Sequence, residues 1–269
     1  MQTLLGPEGA QALTQVLHHR PLLAFDFDGT LAPIIDRPDH VQVDPRLARV
    51  LGALAIRLPV AIVTGRAIRD VRARLGFRPH FIVGNHGAEE EAIRGDTPHT
   101  ETDTAPGVLQ VALDPLRRQL ARDEFDLRRH GVRMEDKGAS IALHYRGCRE
   151  PALAIAWIEA VLARARSQTD APALQVFGGK MVINVLAAQA PDKAVAISRL
   201  VQRCGAASVV FAGDDVNDEP VFRMAPPHWV TIRVGSDDAL SPARFQVDEP
   251  RDLLPWLGSM LTQLRGRQD

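Results

Sequence analysis

The sequence predicts an α/β protein: a doubly wound parallel-sheet core formed by residues 1–100 and 190–269, with an α+β cap domain of residues 101–189 inserted into it. Three observations carry this expectation. Short, almost wholly apolar runs at residues 22–25, 60–63, 81–83, 208–212 and 230–234 alternate with helical stretches, the rhythm of strands buried on both faces and joined by crossover helices. Four of those runs end in polar or glycine-rich turns, FDFDGT, VTGR, VGNHG and AGDDVND, and functional groups of open α/β sheets collect at such strand ends. Between about residues 97 and 190 the pattern changes to alternating strands and longer helices, which marks a second unit.

Residues 8–19 read as a helix preceding the first strand. LLAF, residues 22–25, is that strand, and Gly29 permits the tight turn that follows. A Pro- and Asp-rich segment leads to Asp44 as cap and Pro45 as first residue of a helix striped by Leu47, Val50, Leu51, Leu54 and Leu58, which Pro59 ends. VAIV then runs into Thr64, Gly65 and Arg66. A helix with the stripe Ile68, Val71 and Leu75 and the stop signal Gly76 comes next, then the strand at 81–83 and a loop, GNHGAEEE, over residues 84–91.

PHTETDTAPG, residues 98–107 with Thr97 before it, reads as a linker into the inserted unit. There, Leu109, Leu113, Leu116 and Leu120 stripe one amphipathic helix, residues 132–135 and 140–145 alternate as paired strands around Lys137 and Gly138, and residues 151–166 form another helix. LQVFGGKMVINVL is expected to be a hairpin turning at Gly178 and Gly179. An insertion of two strands, a helix and two strands would cover the active site as a lid that excludes water and supplies substrate contacts. Pro191, Asp192 and Lys193 open a helix that returns the chain to the core, and the strands at 208–212, 230–234 and 245–247, with a helix from Asp252, complete it.

Composition narrows the function classes. The formal net charge is −1 and 24% of residues are charged, so no electrostatic case exists for nucleic acid or an anionic membrane. No run approaches the length of a membrane span, and the N-terminal stretch has neither a basic start nor a long apolar segment, so a cytoplasmic protein is expected. Two distant cysteines, Cys148 and Cys204, match no metal or redox spacing. Among 32 basic residues only Lys137, Lys180 and Lys193 are lysines, each a candidate for a site that needs a compact ammonium.

Asp26 and Asp28 carry the chemistry. Their i, i+2 spacing puts both carboxylates on one side of an extended backbone, and a hard divalent cation such as Mg2+ would compensate their repulsion. Gly213 to Glu219, GDDVNDE, packs four acids into six residues at another strand end and reads as the second half of a metal site. Thr64 lies between strand and helix, where its hydroxyl can cap the helix, bind a phosphate, or both. Arg66 either contacts substrate or holds the loop. Lys193 at a helix start requires a nearby anion, a phosphate or Asp26.

DFDGT, residues 26–30, resembles the nucleophile motif of the haloacid dehalogenase superfamily of phosphohydrolases; Thr64, Lys193 and GDDVNDE match its three further motifs in order. TGR followed by GNHGAE, and EDKGASIALHYR at residues 135–146, narrow the resemblance to the trehalose-6-phosphate phosphatases. The resemblance implies a haloacid dehalogenase-like core and a Mg2+-dependent phosphatase that hydrolyses trehalose 6-phosphate. In it Asp26 is the nucleophile, Asp28 the acid and then base, and Thr64 and Lys193 hold the phosphoryl oxygens. The metal falls to Asp26, the Asp28 backbone carbonyl and Asp214, with Asp218 acting through water and Asp215 orienting Lys193 or the metal waters. Arg66, Asn85, His86, Glu135, Lys137, Lys180 and Asn184 are the implied substrate-binding set. Asn184 stands where the family places a glutamate, which leaves open another phosphosugar such as sucrose 6-phosphate or mannosyl phosphoglycerate. A catalytically silent phosphosugar-binding module is the alternative of a different class. The expected partner is a small phosphosugar, with functional pairing to a trehalose-6-phosphate synthase.

Overall fold

The computed structural model describes residues 1–35, 40–93, 106–168, 172–236 and 240–266. The chain forms two compact units, Met1–Glu101 with Pro191–Asp269, and Thr102–Ala190. Most of the linker expected from Thr97, residues 97–105, lies outside the described residues.

In the first unit the elements run β1 (Gln2–Thr3), α1 (Pro7–Leu17), β2 (Leu22–Phe25), α2 (Pro45–Leu54), β3 (Val60–Val63), α3 (Ile68–Arg72), β4 (Phe81–Gly84) and β5 (Glu89–Ala92). The second unit holds α4 (Pro106–Ala112), α5 (Asp114–Arg122), α6 (Glu124–Arg129), β6 (Arg133–Asp136), β7 (Ser140–His144), α7 (Pro151–Arg166), β8 (Leu174–Gly179) and β9 (Val182–Ala187). The chain then returns through α8 (Lys193–Cys204), β10 (Val209–Gly213), α9 (Glu219–Met224), β11 (Val230–Val234), β12 (Phe245–Val247) and α10 (Leu253–Gly266).

The first unit's sheet has the order β1-β12-β11-β10-β2-β3-β4-β5, parallel throughout except for the β4–β5 pair. Alternation along β2 feeds two cores. Leu23 and Phe25 join a cluster under α1, α2 and α10, while Leu22 and Ala24 join one with Ala196, Ile197 and Leu200 of α8 on the other face. The indole N–H of Trp256 on α10 donates to the Gly9 carbonyl on α1 at 2.9 Å, closing one helical layer.

The second unit is a four-stranded antiparallel sheet, β6-β7-β9-β8, with α5 and α7 on one face. Ile141, Leu143, Val185, Ile158 and Leu116 form its core. Residues directly paired across a sheet share a face, so Glu135, Ala142, Asn184 and Phe177, one register row, lie on the face opposite that core.

Several expectations shift. The hairpin turns at Lys180 and Met181, because Gly179 pairs with Val182; Gly178 and Gly179 are strand residues and Met181 takes the left-handed conformation at φ 64°. The single helix expected through Leu109 and Leu120 breaks at Leu113 into α4 and α5, where Pro115, lacking an N–H, suits the first turn of a new helix and not the interior of an old one. Leu58 is buried beyond the end of α2. The acidic end of the GNHGAEEE loop is the antiparallel edge strand β5, and β1 is an edge strand with too few residues to show a pattern.

Candidate active site

Parallel pairing of β10, β2 and β3 sets three strand C-termini side by side, at the point where the chain leaves β2 for neighbours on opposite sides. Asp26 follows β2, Thr64 follows β3 and Asp214 follows β10. Residues nearly 190 apart in sequence therefore meet because their strands neighbour each other, not because of local structure.

Asp26, Asp214 and Asp218 are all buried and each offers a carboxylate oxygen within 4.8 Å of the others. Lys193, only 1% exposed, lies among them, with Nζ 2.9 Å from Asp26 Oδ2 and 2.7 Å from Asp218 Oδ1. Burial pushes the Asp26 carboxyl well above the usual carboxylate range; Lys193 opposes this, and the Asp218 and Asp214 carboxylates add to it. Burial alone would lower the Lys193 ammonium, but Asp218 and Asp26 outweigh it and hold the amine protonated. Three buried carboxylates against one ammonium leave an excess negative charge with oxygen donors alone. That donor set fits a hard divalent cation.

Local structure aims these groups. Gly29 turns the chain at φ 77°, and a Cβ there would stand 2.0 Å from Asp214 Oδ2, so the nucleophile loop and the acidic loop touch only because this residue has no side chain. The Asp26 carboxylate accepts from the Phe27 N–H at 2.6 Å, and the Thr30 hydroxyl donates to Asp214 Oδ1 at 3.3 Å. Asp218 Oδ2 accepts from the Asp214 and Asp215 N–H groups, both at 3.0 Å, so one carboxylate both grips Lys193 and closes the acidic loop. Asp192 caps α8 by accepting from the Val195 N–H at 2.8 Å, which fixes Lys193 as the first residue of the helix.

Asp28 is placed differently. Its carboxylate is not among the gathered three; it accepts from Arg66 Nε at 2.7 Å and from the second guanidinium nitrogen at 2.8 Å. Arg66 reaches Asp70 with its third nitrogen at 2.6 Å. Thr64 is fully buried and does not cap α3, whose N-cap is Ala67; its hydroxyl oxygen accepts from the Arg66 N–H at 3.2 Å within the turn. Asn85 and His86, both in the left-handed region, lie buried behind that turn: their N–H groups donate to the Arg66 and Thr64 carbonyls at 2.9 Å, and a Cβ on Gly65 would stand 2.3 Å from the His86 ring.

In the acidic loop Asp215 is not the residue that orients Lys193. Lys193 is oriented by Asp26 and Asp218, while Asp215 caps the short turn after it by accepting from the Val216 N–H at 2.8 Å. The loop also rests on Arg233 of β11, buried and donating to the Asp215 carbonyl at 3.2 Å and to Glu219 at 3.3 Å. Sequence reasoning passed over Arg233; the signal was an arginine inside an otherwise apolar strand, which burial must satisfy.

In the second unit Glu135 and Asn184 share one face and one register row, with Ala142 between them. His144 Nε2 lies 2.9 Å from Glu135 Oε2; that hydrogen bond, with the Lys137 charge adding to it, holds the Glu135 carboxyl down at about 2 although burial opposes both. Lys137 follows β6 in the turn to β7, and Lys180 stands at the β8–β9 turn, so the two ammonium-bearing residues occupy opposite ends of the sheet.

Comparison with known proteins gives the family and the fold. Residues 24–248 match the family model described as Trehalose-phosphatase. A Mycobacterium tuberculosis protein named trehalose-phosphate phosphatase is 32% identical over 96% of the chain, and the chain covers 66% of that relative's length. Among solved structures, the C-terminal domain of a C. albicans trehalose-6-phosphate phosphatase matches with a TM-score of 0.74 at 20% identity, over 94% of this chain and 96% of that one. An Aspergillus fumigatus trehalose-6-phosphate phosphatase matches with a TM-score of 0.65 at 23% identity, over 98% of this chain and all of the other. At these identities the structural likeness speaks for the fold.

Proposed function

The chain belongs to the trehalose-phosphatase family, and on that premise we propose that it hydrolyses trehalose 6-phosphate to trehalose and phosphate through an aspartyl phosphate on Asp26. The observation that carries this reading is the buried Asp26 carboxylate held by Lys193 beside two further carboxylates at neighbouring strand ends. A carboxylate there divides a difficult displacement into two easier ones.

Asp26 attacks phosphorus, the bond from phosphorus to the sugar oxygen breaks, and Asp28 gives that oxygen its proton. Asp28 then takes a proton from the incoming water, whose oxygen attacks phosphorus and frees Asp26. Lys193 and Thr64 bind the phosphoryl oxygens and keep them in line with Asp26. Asp26, Asp214 and the backbone carbonyl of Asp28, with Asp218 through water, would hold Mg2+, which when bound neutralises phosphoryl charge. Asn85 and His86 support the phosphate-binding turn from behind. Glu135, Lys137, Lys180 and Asn184 recognise sugar hydroxyls, which both donate and accept hydrogen bonds.

A second reading, hydrolysis of a different phosphosugar, is favoured by one observation. Asn184 is 5% exposed on the face of the second sheet opposite its core and offers an amide where a carboxylate would bind hydroxyls more strongly. The deciding experiment is phosphate release from trehalose 6-phosphate, sucrose 6-phosphate, glucose 6-phosphate and mannosyl phosphoglycerate, with Mg2+ and with chelator, using Asp26→Asn as blank. Metal-dependent preference for the trehalose ester is expected. Preference for another ester would keep the chemistry and replace the substrate; binding with no release from any would leave a silent phosphosugar-binding module.

A further inference from the structure

We propose that Arg66 is the positioning residue for Asp28: a guanidinium locked by Asp70 and Arg74 that fixes the carboxylate performing both proton transfers. The proposal rests on the phosphatase reading above. The Asp28 side chain is 40% exposed on a short loop after β2, and a carboxylate so placed samples several rotamers unless something holds it. Arg66 holds both of its oxygens, at 2.7 and 2.8 Å, in the two-pronged geometry that fixes orientation as well as distance.

The clamp is itself anchored at every end. Arg66 is 12% exposed, its backbone N–H is held by the Thr64 hydroxyl, and its carbonyl accepts from the Asn85 N–H at 2.9 Å. Its remaining prong goes to Asp70 Oδ2 at 2.6 Å, while Asp70 Oδ1 accepts two bonds from Arg74, at 2.9 and 2.6 Å. Arg74 in turn donates to the Val41 carbonyl at 3.4 Å, so the line Asp28–Arg66–Asp70–Arg74 ends on the segment that follows the nucleophile loop. The guanidinium carbon also lies 5.3 Å from the centre of the Phe27 ring, the residue between the two catalytic aspartates. All three guanidinium nitrogens are engaged by carboxylates of this chain, an arrangement for holding Asp28 and not for receiving a phosphate.

The test uses the leaving group. A sugar alkoxide needs the Asp28 proton to depart; p-nitrophenolate does not. Single-turnover rates on trehalose 6-phosphate and the burst of p-nitrophenolate from p-nitrophenyl phosphate are measured for the wild type, Arg66→Ala, Arg66→Lys and Asp70→Asn. Acid–base catalysis contributes about 10²–10⁴-fold, so loss of positioning in Arg66→Ala should slow the sugar ester at least about tenfold, with its Michaelis constant and the p-nitrophenolate burst each within about threefold of wild type. Asp70→Asn should show the same split, smaller. If Arg66→Ala does not fold, Arg66→Lys carries the test, because an ammonium keeps the charge but cannot span both oxygens. Equal slowing of both esters, a raised Michaelis constant with unchanged turnover, or no change at all would each overturn the role of Arg66. A wild type inactive on both esters would overturn the phosphatase reading and this proposal together, which separates the two failures.

Discussion

Lys193 shows how much one residue can depend on its surroundings. An ammonium at 1% exposure is tolerable only between Asp26 and Asp218, and those carboxylates are tolerable only beside it and a cation. Replacing one partner of such a set strands the other charges. Lys193→Met should therefore lower unfolding free energy in chelator by about 3–5 kcal/mol, read by urea denaturation, and abolish turnover. Glu135 gives a pH prediction of defined sign. Its folded value of about 2 lies below the ordinary 4.5, so its contribution to stability is complete above 4.5 and is lost as pH falls toward 2. Because the His144 hydrogen bond is the largest cause, His144→Ala should move the Glu135 midpoint back toward 4.5 in a carboxyl-carbon NMR titration. An unmoved midpoint would mean that the Lys137 and Arg133 charges set it.

At the scale of elements, the cap of α2 was legible and the breaks were not. Asp44 was readable as a cap from its place before Pro45, and it accepts from the Arg46 and Leu47 N–H groups at 2.7 and 3.4 Å. Asp44→Ala should cost about 1 kcal/mol of stability in thermal or urea unfolding while leaving turnover intact; no cost would mean that water satisfies those donors equally well. The hairpin turn was misplaced because paired glycines are the stronger local turn signal, yet register across β8 and β9 is set by which side chains reach the core. Val176 and Val185 pack inward with Ile141, which leaves Lys180 and Met181 to turn. The break at Leu113 has the same origin: the leucine stripe continues in phase, and only Pro115 separates α4 from α5.

At the scale of the whole molecule, two units with separate cores should not unfold as one. Ile158 is fully buried in the core of the second unit. Ile158→Ala should lower that unit's stability by about 2–5 kcal/mol and leave the first unit's transition in place. Tryptophan fluorescence separates them, since of the three tryptophans Trp157 lies in the second unit, and Trp229 and Trp256 in the first. A single transition shifted as a whole would mean that the units unfold together.

By itself the sequence determined the buried core strands, the order of the four acidic, hydroxyl and lysine motifs, and the change of pattern that marks the inserted unit. These are local signals: apolar runs, caps and spacings survive in one dimension. Only the tertiary structure decided which oxygens gather and which do not. Asp26 and Asp28 are two residues apart, yet Asp26 joins Asp214 and Lys193 while Asp28 is taken by Arg66. That choice depends on parallel pairing of β10, β2 and β3 and on the α3 carboxylate behind Arg66. Contacts between residues 38 to 188 positions apart leave no periodic trace in the chain, because they are fixed by strand order and burial.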